Sequence, residues 1–220
     1  MNINVLATGS SGNCYIFTDS QGNQLLLEAG IKYEQIIPHL NFEKLDCLLY
    51  SHEHNDHYLC VDKFRDYVKV IGSKDNEVGK TIFTKNWIIL PIKCYHNVEC
   101  FGYIISNKTE SKKILFCTDT KELPKVADTH FDIMMLECNY DYDSVITMAQ
   151  KGKAESDGYK NHLALETLVD WLKVREDKPN FLMAVHLSTH NNINKSLMVQ
   201  QLTPFADTFV VAKKNVQVEI

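Results

Sequence analysis

Six consecutive residues concentrate chemically capable side chains: His52-Glu53-His54-Asn55-Asp56-His57. Imidazole nitrogen and carboxylate oxygen are the ligands that suit zinc, manganese and iron. Residues two apart point the same way in an extended segment, so His52 and His54 can grip one ion. Asp56 and His57 follow in a tight turn and can face a second. A lone histidine is usually a structural or surface residue. Three histidines and an aspartate in so short a stretch speak against the competing reading, a solvated polar loop.

More side chains of the same kind follow short apolar runs. His52 comes after Leu48-Leu49-Tyr50, His96 after residues 92–95, Asp119 after residues 114–117 and His186 after residues 181–185. Chemistry at strand ends is the usual way a sheet scaffold carries a site. The elements that must position these residues read as follows. Strands are expected at residues 4–7, 14–18, 24–28, 46–50, 68–71, 87–90, 94–95, 100–105, 113–117, 131–136, 181–185, 209–212 and 216–220. The segment Asp19-Ser20-Gln21-Gly22-Asn23 reads as a hairpin turn. Helices are expected at residues 32–40, 62–67, 162–175 and 193–202, the third from apolar residues near a 3.6 period. The two halves then form two β-rich layers with helices outside, an α/β fold with a four-layer αββα sandwich, as one domain over residues 1–220.

Composition bounds the partners. The chain has 220 residues, 45% of them hydrophobic, and a net charge of -5, which argues against a broad basic nucleic-acid footprint. Bound divalent metals would add positive charge where a phosphodiester would sit. Cys14, Cys47, Cys60, Cys94, Cys100, Cys117 and Cys138 include no C-x-x-C pair and lie mostly in apolar runs. They read as buried free thiols in a reducing compartment, and with no apolar run of membrane-spanning length a soluble, cytoplasmic protein without membrane contact is expected.

The six-residue cluster resembles the H-x-H-x-D-H motif of the metallo-β-lactamase superfamily, and the likeness runs over essentially the whole chain. Leu26-Leu27-Glu28-Ala29-Gly30 resembles the early acidic motif of that superfamily, with Glu28 where most members have Asp. Residues 5–14, Leu136-Glu137-Cys138-Asn139-Tyr140-Asp141, Asn161-His162-Leu163-Ala164 and Val185-His186-Leu187-Ser188 resemble the YycJ/WalJ-like branch, associated with DNA exonuclease activity. Thr8, Asn161 and Ala164 depart from the pattern of the branch. The resemblance implies that His52, His54 and His96 hold one metal, that Asp56, His57 and His186 hold a second, and that Asp119 bridges them. Two divalent ions so placed (Zn or Mn, with Fe a further candidate) bring a bridging water near neutrality and clamp phosphate oxygens, the resulting hydroxide attacking phosphorus in line with the leaving oxygen. Asp56 would also orient that hydroxide. Glu137 and His162 resemble a glutamate–histidine pair that donates a proton to the leaving group in tRNA 3′-end endonucleases. The competing reading makes His162 the start of a helix capped by Asn161.

Three functions follow. The first is a phosphodiesterase on nucleic acid, DNA more than RNA, supported also by Lys151, Lys153 and Lys160. The second is hydrolysis of a small ester, thioester, lactone or cyclic nucleotide. The third is a non-catalytic metal-binding or redox protein, disfavoured because none of the seven ligands is missing. His190 reads as a loop residue before the last helix, and His39 and His130 as surface residues. Residues 10–13 form a turn able to offer backbone N–H groups to an anion.

Overall fold

The computed structural model describes residues 1–126, 129–150, 158–188 and 193–220, with no side-chain description at 158 and 159. Lys151, Lys153 and His190 therefore lie outside the described residues. Two sheets face each other. The first is built from β1 (Asn2–Ala7), β2 (Cys14–Thr18), β3 (Gln24–Leu27), β4 (Leu45–Tyr50) and β5 (Lys69–Gly72). The second carries β6 (Ile82–Phe83), β7 (Trp87–Tyr95), β8 (Glu99–Asn107), β9 (Lys113–Cys117), β10 (Ile133–Glu137), β11 (Phe181–Val185) and β12 (Thr208–Val211). The last strand, β13 (Val216–Glu219), returns to the first sheet and pairs with the outer edge of β1. The sheets run β13-β1-β2-β3-β4-β5 and β12-β11-β10-β9-β8-β7-β6.

Three apolar clusters separate four layers. Alternate residues of both sheets meet between them: Val5, Phe17, Leu25 and Leu49 from one, Phe116, Met135 and Met183 from the other. The intervening residues of β9, β10 and β11 point outward, where Leu115, Leu136 and Leu182 pack under α4 (Leu165–Lys173) and α5 (Lys195–Leu202). On the far side Leu26, Leu48 and Tyr50 pack against short helical turns around Phe64 and Ile36. Strands buried on both faces read as continuous apolar runs, which is why LDCLLY and FLMAV lack polar alternation. Truncating one such side chain, Leu48 for instance, costs about 2–5 kcal/mol.

Several expected elements differ in detail. Residues 87–90 and 94–95 are one strand, β7, running through Pro91. Proline has no N–H to give a ladder. Here it sits beyond the end of two-residue β6, so that side of β7 has no partner strand, and its carbonyl accepts from Gly79 N. The division between sheets falls after β5, near residue 72, rather than at mid-chain. Residues 32–40 form only α1 (Tyr33–Ile36) and a 3-10 turn, because Pro38 tightens the continuation, and residues 62–67 shrink to a 3-10 turn, Val61–Phe64. Between them lies α2 (Asn55–Tyr58), one turn inside the histidine motif. A further helix, α3 (Tyr142–Gln150), was not expected. It has no buried residue and a β-branched run, so no apolar period marks it. Its start is fixed by Asp141, whose carboxylate accepts from Ser144 N at 2.8 Å. No helix among the described residues is long and apolar enough to cross a membrane.

Candidate metal centre

Strands β3, β4 and β5 are mutually parallel, as are β9, β10, β11 and β12. Parallel pairing places the C-terminal ends of neighbouring strands side by side. Leu136 pairs with Cys117 and Glu137 with Val185, so Asp119, Glu137 and His186 emerge together. Across the sandwich, β3 delivers Glu28 and β4 delivers His52 to the same rim. Glu28, Asp119 and His186 have φ of 62°, 49° and 53°. The left-handed conformation costs a non-glycine residue of order 1–3 kcal/mol, and these three residues follow the ends of β3, β9 and β11, with Asp119 and His186 in the centre and Glu28 behind it.

All seven sequence-derived ligand candidates converge. His52 Nε2 lies 2.9 Å from His54 Nδ1, and His54 Nδ1 lies 3.4 Å from His96 Nε2. His57 Nε2 lies 3.3 Å from Asp56 Oδ2 and 3.1 Å from Asp119 Oδ2. His186 Nε2 stands 3.4 Å from Asp56 Oδ2 and 3.6 Å from Asp119 Oδ2. Donors about 2.1 Å from one tetrahedral ion are spaced about 3.4 Å apart, so this donor set fits shared ions. His52, His54 and His96 form one such group, and Asp56, His57 and His186 another. Asp119 joins a group with His52 and His57 and one with Glu137, His162 and His186, so it touches both halves.

The far nitrogens and supporting side chains hold these rings in place, as in well-built metal sites. His96 Nδ1 donates to the carbonyl of Asn161 at 3.1 Å, leaving Nε2 for the centre. His57 Nδ1 lies at ion-pair distance, 3.3 Å, from Glu28 Oε1 and within 3.3 Å of Ser51 Oγ, and both Glu28 oxygens accept from Ser51 N at 3.2 Å. Glu28 is fully buried and meets the centre through His57 and through Ser51, whose hydroxyl lies 2.9 Å from His52 Nδ1. Glu137, also fully buried, binds His162 Nδ1 at 2.6 Å and His186 Nδ1 at 3.2 Å through one oxygen. Its other oxygen accepts from Thr120 N at 2.9 Å. Glu137 thus orients two histidines, where the sequence suggested only one. His162 lies ahead of α4, whose N-cap is Ala164, so the reading of His162 as a capped helix start fails.

The turn at residues 9–13 supports the motif from behind. Asn13 N donates to the Asp56 carbonyl at 2.7 Å, and Asn13 Nδ2 to the Gly9 carbonyl at 3.1 Å. A β-carbon on Gly30 would come within 1.7 Å of the same Asp56 carbonyl oxygen, so only glycine permits this approach. No spacing rule announced these contacts; they arise from chain segments distant in sequence. His39 lies on a 3-10 turn outside the centre, and His130 pairs with Asp177 at 2.8 Å on the exposed surface.

Charge favours cations here. Burial and the neighbouring His57 push His52 down to about 2, keeping it a neutral donor. Burial opposes the charged forms of His57 and His186, but Asp119 above all outweighs it. His57 is held well above the usual imidazole range and His186 is raised to about 10. Burial also opposes the charge on Asp119, and the imidazoles of His186 and His57 hold its carboxyl well below the usual range. Asp56 and Asp119, with buried Glu28 and Glu137 behind them, concentrate negative charge that bound cations would offset.

No protein-family model matches the chain, and no curated protein does. Solved structures do. The metallo-β-lactamase fold protein YhfI from Bacillus subtilis matches 100% of this chain and 99% of its own at 17% identity and a TM-score of 0.73. Zinc-bound PqqB from Methylobacterium extorquens matches 100% of both chains at 13% identity and a TM-score of 0.75. Human tRNase Z, short form, matches 100% of this chain and 99% of its own at 14% identity and a TM-score of 0.66. This chain has the metallo-β-lactamase fold. The convergence of His52, His54, Asp56, His57, His96, Asp119 and His186 lies at the C-terminal strand ends of that fold's two sheets.

Proposed function

We propose that the chain is a metal-dependent hydrolase with two divalent ions, its substrate a nucleic-acid phosphodiester, DNA more than RNA. His52, His54 and His96 hold one ion, Asp56, His57 and His186 the other, and Asp119 serves both; residues 1–220 act as one catalytic domain. Zinc, manganese and iron all suit this donor set. Such ions supply charge stabilisation for a phosphoryl transition state and lower the pKa of water. The protein's own groups supply the rest. Asp56 stands 25% exposed at the mouth, where it can accept a proton from the attacking water and orient it. His162 is 20% exposed and keeps its Nδ1 proton on Glu137, leaving Nε2 as the proton source for a leaving alkoxide.

The Glu137–His162 contact of 2.6 Å, beside the ligand cluster, carries this reading. A phosphodiester leaving group needs a proton donor of this kind. The structural likeness to a tRNase supports the same substrate class. The net charge of -5 favours the second reading, a small ester, thioester, lactone or cyclic nucleotide. Incubation with labelled DNA, a small phosphodiester and a thioester, in Mn²⁺ and in Zn²⁺, separates the two. Cleavage of DNA and the small diester, with the thioester intact, is expected. Intact DNA with every metal would refute the first reading.

A further inference from the structure

A groove of about 1000 Å³ runs from beside the end of β11, which leads to His186, to the connection between β12 and β13. Its inner end is formed by Thr8, Leu187 and Ser188. Thr8 Oγ1 accepts from the backbone N of His186 at 3.1 Å, so the groove starts one hydrogen bond from a ligand candidate. Its apolar lining includes half-buried Phe209 and Val211 on β12, the unpaired edge of the second sheet.

Among the described residues, three cations line this groove and no carboxylate does: Lys195, Lys213 and Lys214. All three are exposed, and none has an ion pair or hydrogen bond among the described residues. Elsewhere Lys63, Lys74, Lys80 and Lys173 each hold an acidic partner. A protein of net charge -5 thus keeps three unneutralised ammonium groups along one apolar channel whose inner end neighbours the ligand candidate His186.

We propose that this groove is the track on which a single-stranded polynucleotide enters the centre. The lysines meet phosphates, and the apolar lining, Phe209 included, lies under the bases. A basic rim over an apolar or aromatic floor is the usual platform for single strands, whose base faces are free to stack. A duplex hides those faces. The inference rests on the phosphodiesterase reading and names the form of its substrate.

The test uses the metal-loaded protein and a fluorescein-labelled, phosphorothioate-linked oligodeoxythymidine of about 12 nucleotides, followed by anisotropy. The triple variant Lys195→Glu, Lys213→Glu, Lys214→Glu is expected to bind at least tenfold more weakly, with an unaltered circular dichroism spectrum. Its slope of log K against log salt should fall by about 2, since three phosphate contacts contribute about 0.7 each. Lys63→Glu, on the 3-10 turn packed against the first sheet, should bind as wild type. Unchanged affinity and slope in the triple variant, or an equal loss in Lys63→Glu, would overturn the proposal. So would polyglutamate binding as tightly as the oligonucleotide, which would mark the groove as an acidic-protein site. Wild-type turnover of bis(p-nitrophenyl) phosphate is measured in parallel. Turnover with lysine-independent oligonucleotide binding sinks the groove alone. Lysine-dependent binding without turnover supports the groove and sinks the phosphodiesterase reading.

Discussion

Glu28→Gln isolates one buried charge at nearly constant volume. The carboxylate is fully buried, accepts from Ser51 N at 3.2 Å through both oxygens, and stands at ion-pair distance, 3.3 Å, from His57 Nδ1. The amide keeps one acceptor and turns the other into a donor. Whichever way it sits, either Ser51 N–H or the imidazole loses strength in its acceptor. Hydrogen bonds to charged groups contribute about 1.5–3 kcal/mol, so a stability loss of about 2 kcal/mol is expected. His57 also becomes a weaker and less constrained donor. Loss of such a support costs about 10–100-fold in metal affinity. Urea unfolding gives the first number, and titration against a competing chelator gives the second. Metal affinity within twofold of wild type would refute the argument that Glu28 acts through His57.

Other outcomes follow from the same geometry. His57→Ala and Asp119→Ala should each abolish turnover and lower bound metal, checked by elemental analysis; full metal content in both would undo the ligand assignment. His162→Ala should retain both metals yet turn over roughly 10²–10⁴-fold more slowly. Burial works to lower the His162 pKa, but the Glu137 charge and hydrogen bond outweigh it and raise it. A general acid works only while protonated, so activity should fall as pH rises through that raised value, and the alkaline limb should vanish in His162→Ala. Metal uptake must displace protons from His57 and His186, both raised by Asp119 against burial, so affinity should rise with pH. Calorimetric binding enthalpies that do not depend on buffer ionisation would contradict this. Gly30→Ala should cost about 3 kcal/mol or more, read as a thermal shift with loss of metal, because its β-carbon meets Asp56 backbone at 1.7 Å.

The candidate ligands stood out because metal binding needs particular donor atoms, and His52 to His57 supply four of them in one stretch. Strand-end placement of Asp119 and His186 was legible for a similar reason, since the buried runs KILFC and FLMAV stop abruptly. The supports were harder to see. Asn13 meets Asp56, and Asn161 meets His96, through backbone carbonyls whose position no side-chain pattern encodes. The second duty of Glu137 depends on β10 and β11 being neighbours in register, which is a property of the sheet. Pro91 hid the continuity of β7, because a proline inside a strand is tolerated only where the partner strand has ended, and the length of β6 is not written locally. The return of β13 to β1 is likewise a tertiary choice, made by covering an open edge.

The left-handed backbone at Glu28, Asp119 and His186 bears on how this protein can be improved. Glycine occupies that region without steric cost. At Asp119 and His186 glycine would relieve that strain while removing a proposed ligand, whereas at Glu28 it would also lose the buried contacts to Ser51 and His57. Stabilised and competent variants would diverge at Asp119 and His186, and any directed-evolution campaign on this scaffold needs a catalytic screen to hold those residues against their own conformational preference.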